Sequence, residues 1–456
     1  MTRSANMAAS HQFQLPGFVM AMPFYPSKTV NLPGIVLALF VFFMGFFIQC
    51  NIVTSNIGLR FLNITDMLVL TTLPAVALLY IRCLTPSIIL LYLLPLTVLF
   101  VLTALFADAR GDGEFYPTAL TYFYAVYFLF FTYMLFKEKL LDVFCWGISA
   151  GFLVVIILLF LDSVIHDRLA SLGLSFQFDE AAVLEAAAKG EMSAMFLRIE
   201  KAGGIWSAGN MAGPAFALAG AAAAYLAERY RRPAFFAVFL LIYLASFTLT
   251  LNRSGVFAVF AIGLYFYLRN FSIRMLFSTY FGFALSALII AAVLPFGALD
   301  FAEQAFSKRF LEDNRSTDNA QERWTTITGG FEVMINHPLG IGFSARDQEL
   351  SGISGIGTPH NGFLATAYTS GIGFCLLSAF ALVYTVFRKR KVGFFLYSAI
   401  GVIIGYQFEE LNSNPVFMAH IGLALGYAFI DLDFRLFLKN ALTRLSGLSG
   451  IPARGA

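Results

Sequence analysis

Two short segments hold the residues best suited to chemistry. Leu251–Asn252–Arg253–Ser254–Gly255 joins two long apolar runs through a turn of only a few residues. An arginine there is a cation fixed beside segments that avoid water, and such a charge is costly and usually functional. Two structural readings stay open for Arg253: a guanidinium reaching back to lipid headgroups, or a partner for Asp66 near the start of another apolar run. The second segment is Thr358–Pro359–His360–Asn361, at the entrance of a further apolar run. Histidine suits proton transfer near neutral pH, so His360 could accept a proton from an attacking hydroxyl. Asn361 could hold its tautomer or bind the hydroxyl. A single histidine in a polar stretch is more often an ordinary solvated side chain, and spacing alone leaves both readings open.

Between these segments lies a polar stretch, 298–361, in which Gln321–Glu322–Arg323–Trp324 opens a short helix ending at Asn336–His337–Pro338. A glycine-rich stretch follows, through Gly340, Gly342, Gly352, Gly355 and Gly357. Its basic residues are Lys308, Arg309, Arg315, Arg323 and Arg346, and acids outnumber them, so a generic polyanion surface is excluded. A few arginines gripping one diphosphate through the planar guanidinium fork fit better. The sequence holds no phosphate-binding glycine loop, no nucleophile elbow and no His/Cys cluster with metal-ligand spacing. Glu322, Glu409 and Glu410 could in principle hold a metal, but their spacing does not recommend it, and neither a metal nor a cofactor is expected.

The elements that must position these residues are membrane helices. Apolar side chains make up 59% of the chain and charged ones 12%, about half the charge of a typical soluble domain. Stretches long enough to span a bilayer recur about twelve times. They lie near 31–50, 62–82, 86–106, 115–136, 140–165, 209–228, 233–251, 254–268, 275–297, 362–387, 393–408 and 416–430. Basic residues fall in alternate gaps, at Arg82, Lys137, Arg229–Arg232, Arg269–Arg274, Arg388–Lys391 and Arg435–Arg444. Basic loops stay on the cytoplasmic side. The expected fold is therefore an all-α polytopic membrane protein of about twelve spans, with both termini cytoplasmic and two larger periplasmic loops carrying short helices. The organisation is a tail at 1–30, spans at 31–165, a periplasmic loop at 166–208, spans at 209–297, the large loop at 298–361, spans at 362–430 and a cytoplasmic tail at 431–456. The run at 254–268 is short for a span, about 22 Å of helix, which would place its Arg253 turn in a recess below the outer surface. The first apolar run reads as an anchor, not a cleaved signal. A helix is expected on the outer surface near 179–190. The cysteines Cys50, Cys83, Cys145 and Cys375 sit in or at the ends of spans and read as packing residues. The net charge of +3 is accounted for by the inner gaps, and no nucleic-acid partner is implied.

Taken together, the Asn-Arg-Ser-Gly turn, Glu322–Arg323–Trp324, Pro338–Leu339–Gly340–Ile341–Gly342 and His360–Asn361, running into Gly371 and Gly373, resemble the O-antigen ligase and Wzy-type polysaccharide polymerase family of bacterial inner membranes. Ile64–Thr65–Asp66 is similar to a further feature of that family. The resemblance implies transfer of a glycan from undecaprenyl diphosphate, the lipid carrier, to an acceptor hydroxyl on the periplasmic side, without a required metal. By motif, it implies Arg253 and Arg323 as diphosphate ligands and His360 as the base, with inversion at the anomeric carbon. Asp66, Arg198, Asn210, Arg346 and Asn361 are candidate substrate-binding residues. Arg198 to Gly209 and Arg346 to Gly357 each span ten intervening residues, similar to a pattern of some Wzy-type polymerases. This favours polymerisation of O-antigen or exopolysaccharide repeats, with the O-antigen ligase, which transfers to lipid A-core, as the alternative. Asn210–Met211–Ala212–Gly213–Pro214 departs from an Asn-Pro-Asn-like segment common in the family. Expected partners are the lipid-linked glycan, membrane lipids, and flippase and chain-length regulator proteins. The competing class is a transporter or flippase. However, the chain shows no internal duplication, its middle gap near Glu228–Pro233 is short, and its distinctive charges sit at outer helix ends and not at the midplane. Trp206, Trp324 and Phe363 could stack on sugars or anchor at the membrane interface.

Overall fold

The computed structural model describes residues 32–50, 63–106, 115–172, 212–250, 252–270, most of 272–285, 316–342, 361–387, 392–405 and 415–430. They are helical, with no strand among them. The helices are α1 (Leu32–Gln49), α2 (Ile64–Tyr80), α3 (Pro86–Leu105), α4 (Phe115–Lys137), α5 (Leu141–Ser171), α6 (Ala212–Arg229), α7 (Ala234–Thr250), α8 (Arg253–Asn270), α9 (Ser316–Asn336), α10 (Gly362–Ser370), α11 (Ile372–Phe387), α12 (Gly393–Gly405) and α13 (Pro415–Phe429). A helix occupies each expected span except the one near 275–297, which is described only in part. By length and composition, Pro86–Leu105, Thr118–Lys137 and Leu141–Ile165 can cross a membrane, and six shorter helices are also apolar. Rows of Leu, Ile, Val and Phe on α3 and α8 face outward, as they do where the surrounding solvent is lipid.

Small residues decide which helices touch. Helix α6 is largely alanine and glycine, and nearly all of it is buried among α5, α7, α8 and α12. Lipid supplies no hydrophobic drive between helices, so close backbone approach through small residues holds such bundles together. Gly147 and Gly151 of α5 lie four apart, and a Cβ on either would overlap the carbonyl of Phe42 or Phe46 on α1. Gly422 and Gly426 make the same kind of notch in α13, with a Cβ at Gly426 coming 2.5 Å from the Phe128 carbonyl of α4. Gly147→Leu is therefore expected to part α1 from α5 and remove most of the monodisperse protein recovered in detergent. Ser149→Ala, which loses only a bond to Cys145 of its own helix, should leave the yield unchanged.

Polar pairs join alternate helix ends. At one end Asp142 of α5 accepts from Tyr225 (2.6 Å) and Arg229 of α6. Beside it Glu228 meets Arg269 of α8 (3.0 Å) and accepts from Tyr397 of α12 (2.9 Å). Tyr80 of α2 reaches Glu138 at the same end. These are ends at which the sequence reading put cytoplasmic gaps. At the opposite end, Thr65 donates to the Phe47 carbonyl of α1 (2.8 Å), and Asp66 faces α4. Cys50 and Cys145 are buried free thiols.

Two helices differ from the sequence expectation. The run read as 254–268 is a helix of 18 residues, Arg253–Asn270, about 27 Å long. Asn252 caps its start, and the Asn270 amide donates back to Phe266 at its end. Hydropathy missed these polar caps, so shortness no longer argues for a recess. The run read as one span, 362–387, is two helices parted at Gly371, whose φ is +93°. The expected helix near 179–190 lies outside the described residues.

Candidate functional site

The Asn252 turn is built into the protein. Asn252 and Ser254 are buried. The Asn252 Oδ1 accepts from the Gly255 N–H (2.6 Å) and from the Ser254 hydroxyl (2.8 Å). Asparagine is a favoured N-cap because its short side chain satisfies an orphan N–H of the first turn. Arg253 is thereby the first residue of α8.

The start of α6 meets this turn. A Cβ on Gly213 would sit 2.6 Å from the Ser254 Oγ and 3.2 Å from the Asn252 Oδ1. Two helix N-termini thus converge, each carrying partial positive charge suited to an anion. His420 of α13 ties this junction to the bundle from full burial. Its Nε2 lies 3.0 Å from the Pro214 carbonyl and its Nδ1 2.8 Å from the Ser398 Oγ of α12. A carbonyl only accepts, so Nε2 carries the proton and the Ser398 hydroxyl donates to Nδ1. Among the sequence signals, only the small residue at 213 hinted at this junction.

The second motif group is knitted together by backbone bonds. The segment after α9, His337–Pro338–Leu339–Gly340–Ile341–Gly342, docks on the break between α10 and α11. Ile341 N–H donates to the Tyr368 carbonyl (2.7 Å) and Gly342 N–H to the Thr369 carbonyl (3.1 Å). In return the Ile372 N–H of α11 donates to the Pro338 carbonyl (2.9 Å). The Ser370 carbonyl accepts from the Tyr122 hydroxyl of α4 (3.0 Å). The last carbonyls of α10, which a helix leaves without partners, are therefore satisfied by the loop and by α4. Such satisfaction is required of irregular backbone within a membrane protein. At the other end of α10, Asn361 is the N-cap, its Oδ1 accepting from the Leu364 N–H (2.9 Å). This fixes the backbone where the chain arrives from His360.

Asp66 is held tightly. It forms a capping box with Asn63: the Asp66 N–H donates to the Asn63 Oδ1 (2.9 Å), and the Asn63 N–H to the Asp66 Oδ2 (3.1 Å). Its Oδ1 accepts from the Tyr124 hydroxyl of α4 (2.7 Å). The Ile64–Thr65–Asp66 motif is thus a joint between α1, α2 and α4. Arg323 lies within α9. Neither its side chain nor that of Arg253 is among those described. His360, Arg198, Asn210 and Arg346, and the acids Glu409 and Glu410, lie outside the described residues. Among the described residues no group of His, Cys, Asp or Glu could hold a metal ion.

No curated protein and no solved structure matches the chain. A family model described as O-antigen ligase, Wzy_C, matches residues 236–373. That interval contains the Arg253 turn, Arg323, the Pro338–Gly342 segment, His360 and Asn361. Asp66, Arg198 and Asn210 fall outside it. The match over 236–373, which holds the capped start of α8 and the knitted break at Gly371, identifies an O-antigen ligase/Wzy-type domain in this chain.

Proposed function

We propose that this membrane protein transfers a glycan from undecaprenyl diphosphate to the hydroxyl of an acceptor sugar, on the periplasmic side of a bacterial inner membrane. The observation that carries this reading is the family match over 236–373, because one segment holds both arginines and the histidine. Arg253, at the start of α8 where α6 also begins, and Arg323 in α9 bind the diphosphate. Charge grows on that leaving group as the glycosidic bond breaks, and fixed cations in a region of low dielectric favour the transition state over the bound substrate. His360, next in sequence to the Asn361 cap of α10, takes the proton of the attacking hydroxyl. A single displacement of this kind inverts the anomeric carbon. Asp66 orders the ends of α1, α2 and α4 around the glycan, and Asn361 fixes the approach to His360. Arg198, Asn210 and Arg346 complete the glycan contacts.

The preferred reaction is polymerisation of repeat units, supported by the two Arg-x10-Gly spacings. Ligation to lipid A-core is the second reading, favoured by the matched family's description. Purified protein in lipid, given only a lipid-linked repeat unit, distinguishes them. A ladder of longer lipid-linked chains by mass spectrometry supports a polymerase. Product only after a lipopolysaccharide core acceptor is added supports a ligase. Neither, with the native donor, favours a carrier.

Arg253→Lys should bind donor more weakly than the parent. An ammonium is a point charge and cannot present the two parallel N–H groups of a guanidinium. Arg253→Ala should lower kcat/KM by about 100-fold or more, as for loss of a group that stabilises developing negative charge. Initial rates across a donor titration measure both.

A further inference from the structure

Helix α9 presents two apolar faces, and among the described residues only one is covered. Val333, which is fully buried, packs with Leu364, Ala365 and Tyr368 of α10. On the opposite side Trp324, Phe331 and Ile335 are 64%, 50% and 69% exposed. Spacings of seven and four align these three side chains in one row. Exposed Glu332 and Asn336 border the row. Two large aliphatic and aromatic neighbours without polar groups make a poor sugar platform around Trp324, because a sugar face brings hydroxyls that need partners.

The height of this helix follows from its bonds. Helix α11 has 16 residues, about 24 Å, and is followed by Arg388–Lys389–Arg390–Lys391. With that basic cluster at one boundary of a hydrocarbon layer about 30 Å thick, Gly371 lies about 6 Å inside the other boundary. The segment after α9 is hydrogen-bonded at that level, through Ile341, Gly342 and Pro338. Ile335 precedes His337 by two residues. The row from Ile335 to Trp324 is about 16 Å long along the helix axis, and its Ile335 end starts beside that boundary.

We propose that the Trp324–Phe331–Ile335 face of α9 lies against the lipid of the outer leaflet, making α9 an interfacial helix and not a helix in free solution. Interfacial helices carry this pattern, with Trp and Phe on the apolar face and charge at its edges. The proposal deepens the transfer reading in one respect. Arg323 immediately precedes Trp324, so the lipid contact sets the height of its backbone near the headgroups, where a lipid-borne diphosphate lies. That consequence rests on the transfer reading; the lipid contact itself does not.

The test compares the parent protein and Trp324→Phe in phosphatidylcholine vesicles, with and without bromine near the top of the acyl chains. The chain has three tryptophans, and the difference between the two emission spectra isolates Trp324. An exposed Trp→Phe change leaves the fold intact. Brominated lipid is expected to remove about half or more of the difference emission, with little effect of acrylamide added to the aqueous phase. Difference emission quenched by acrylamide and unaffected by bromine would overturn the proposal. Bromine quenching in a protein without transfer activity would keep the lipid contact and remove only the role of Arg323.

Discussion

His360→Ala is expected to reduce glycan transfer by roughly 100- to 10,000-fold, the range a positioned general base contributes, with the protein still folded in the membrane. The expectation rests on the order of events at α10. Asn361 caps the helix through the Leu364 N–H. The start of α10 is therefore set by a bond that the substitution does not touch. Removing the imidazole should cost proton transfer without costing the helix. The measurement is the single-turnover rate of transfer from a lipid-linked repeat unit, alongside monodispersity and thermal stability. A scaffold or a carrier would tolerate the change. A variant of unchanged stability and unchanged rate would remove His360 from the mechanism.

Gly371→Val is expected to be the most damaging structural substitution near the site. With φ at +93° and ψ at 154°, Gly371 lies in a backbone region open essentially to glycine alone, where another residue costs about 1–3 kcal/mol. The added carbons would also meet Leu339: a Cβ here lies 3.1 Å from its carbonyl carbon and oxygen, and 3.2 Å from the Pro338 oxygen. Relief of that clash pushes the loop away and breaks the bonds to Tyr368, Thr369 and Ile372. Each contributes about 0.5–1.5 kcal/mol, and more where a buried carbonyl is stranded. The sum is several kcal/mol, a large part of the 5–15 kcal/mol that typically holds a protein folded. Gly373, two residues on, supplies the control. A Cβ there meets only the Leu99 side chain, at 2.6 Å from its Cδ2, and a leucine tip can turn aside. Melting in detergent should therefore rank the parent and Gly373→Ala together, well above Gly371→Val, with transfer activity lost in the last.

The legible part of the candidate site was which residues to single out. Asn252, Arg253, Arg323, His360 and Asn361 stand out because polar residues beside long apolar runs are costly and easily seen. What Asn252, Asn361 and Asp66 do was not legible. Asn252 and Asn361 prove to be helix N-caps, and Asp66 the third residue of a capping box with Asn63; capping depends on where a helix begins, which hydropathy locates only to within several residues. The break at Gly371 was hidden for a similar reason. No charged residue interrupts the runs on either side, and the partner that makes the break tolerable, Pro338–Gly342, lies some thirty residues earlier in the chain. His420 is a packed core residue, held by its bonds to Pro214 and Ser398.

The amino-acid order alone determines that this is a helical membrane protein, and roughly where its apolar runs lie. Those properties are local: each run must hide its own backbone from lipid, so composition over about twenty residues suffices. Which helices touch was decided only in three dimensions. Gly147 and Gly151 receive Phe42 and Phe46, Gly213 receives Ser254, and Gly340 receives the Thr369–Gly371 backbone. Such fits depend on the matched shapes of two distant surfaces. Hydrophobicity, which lipid satisfies equally well, cannot choose between partners.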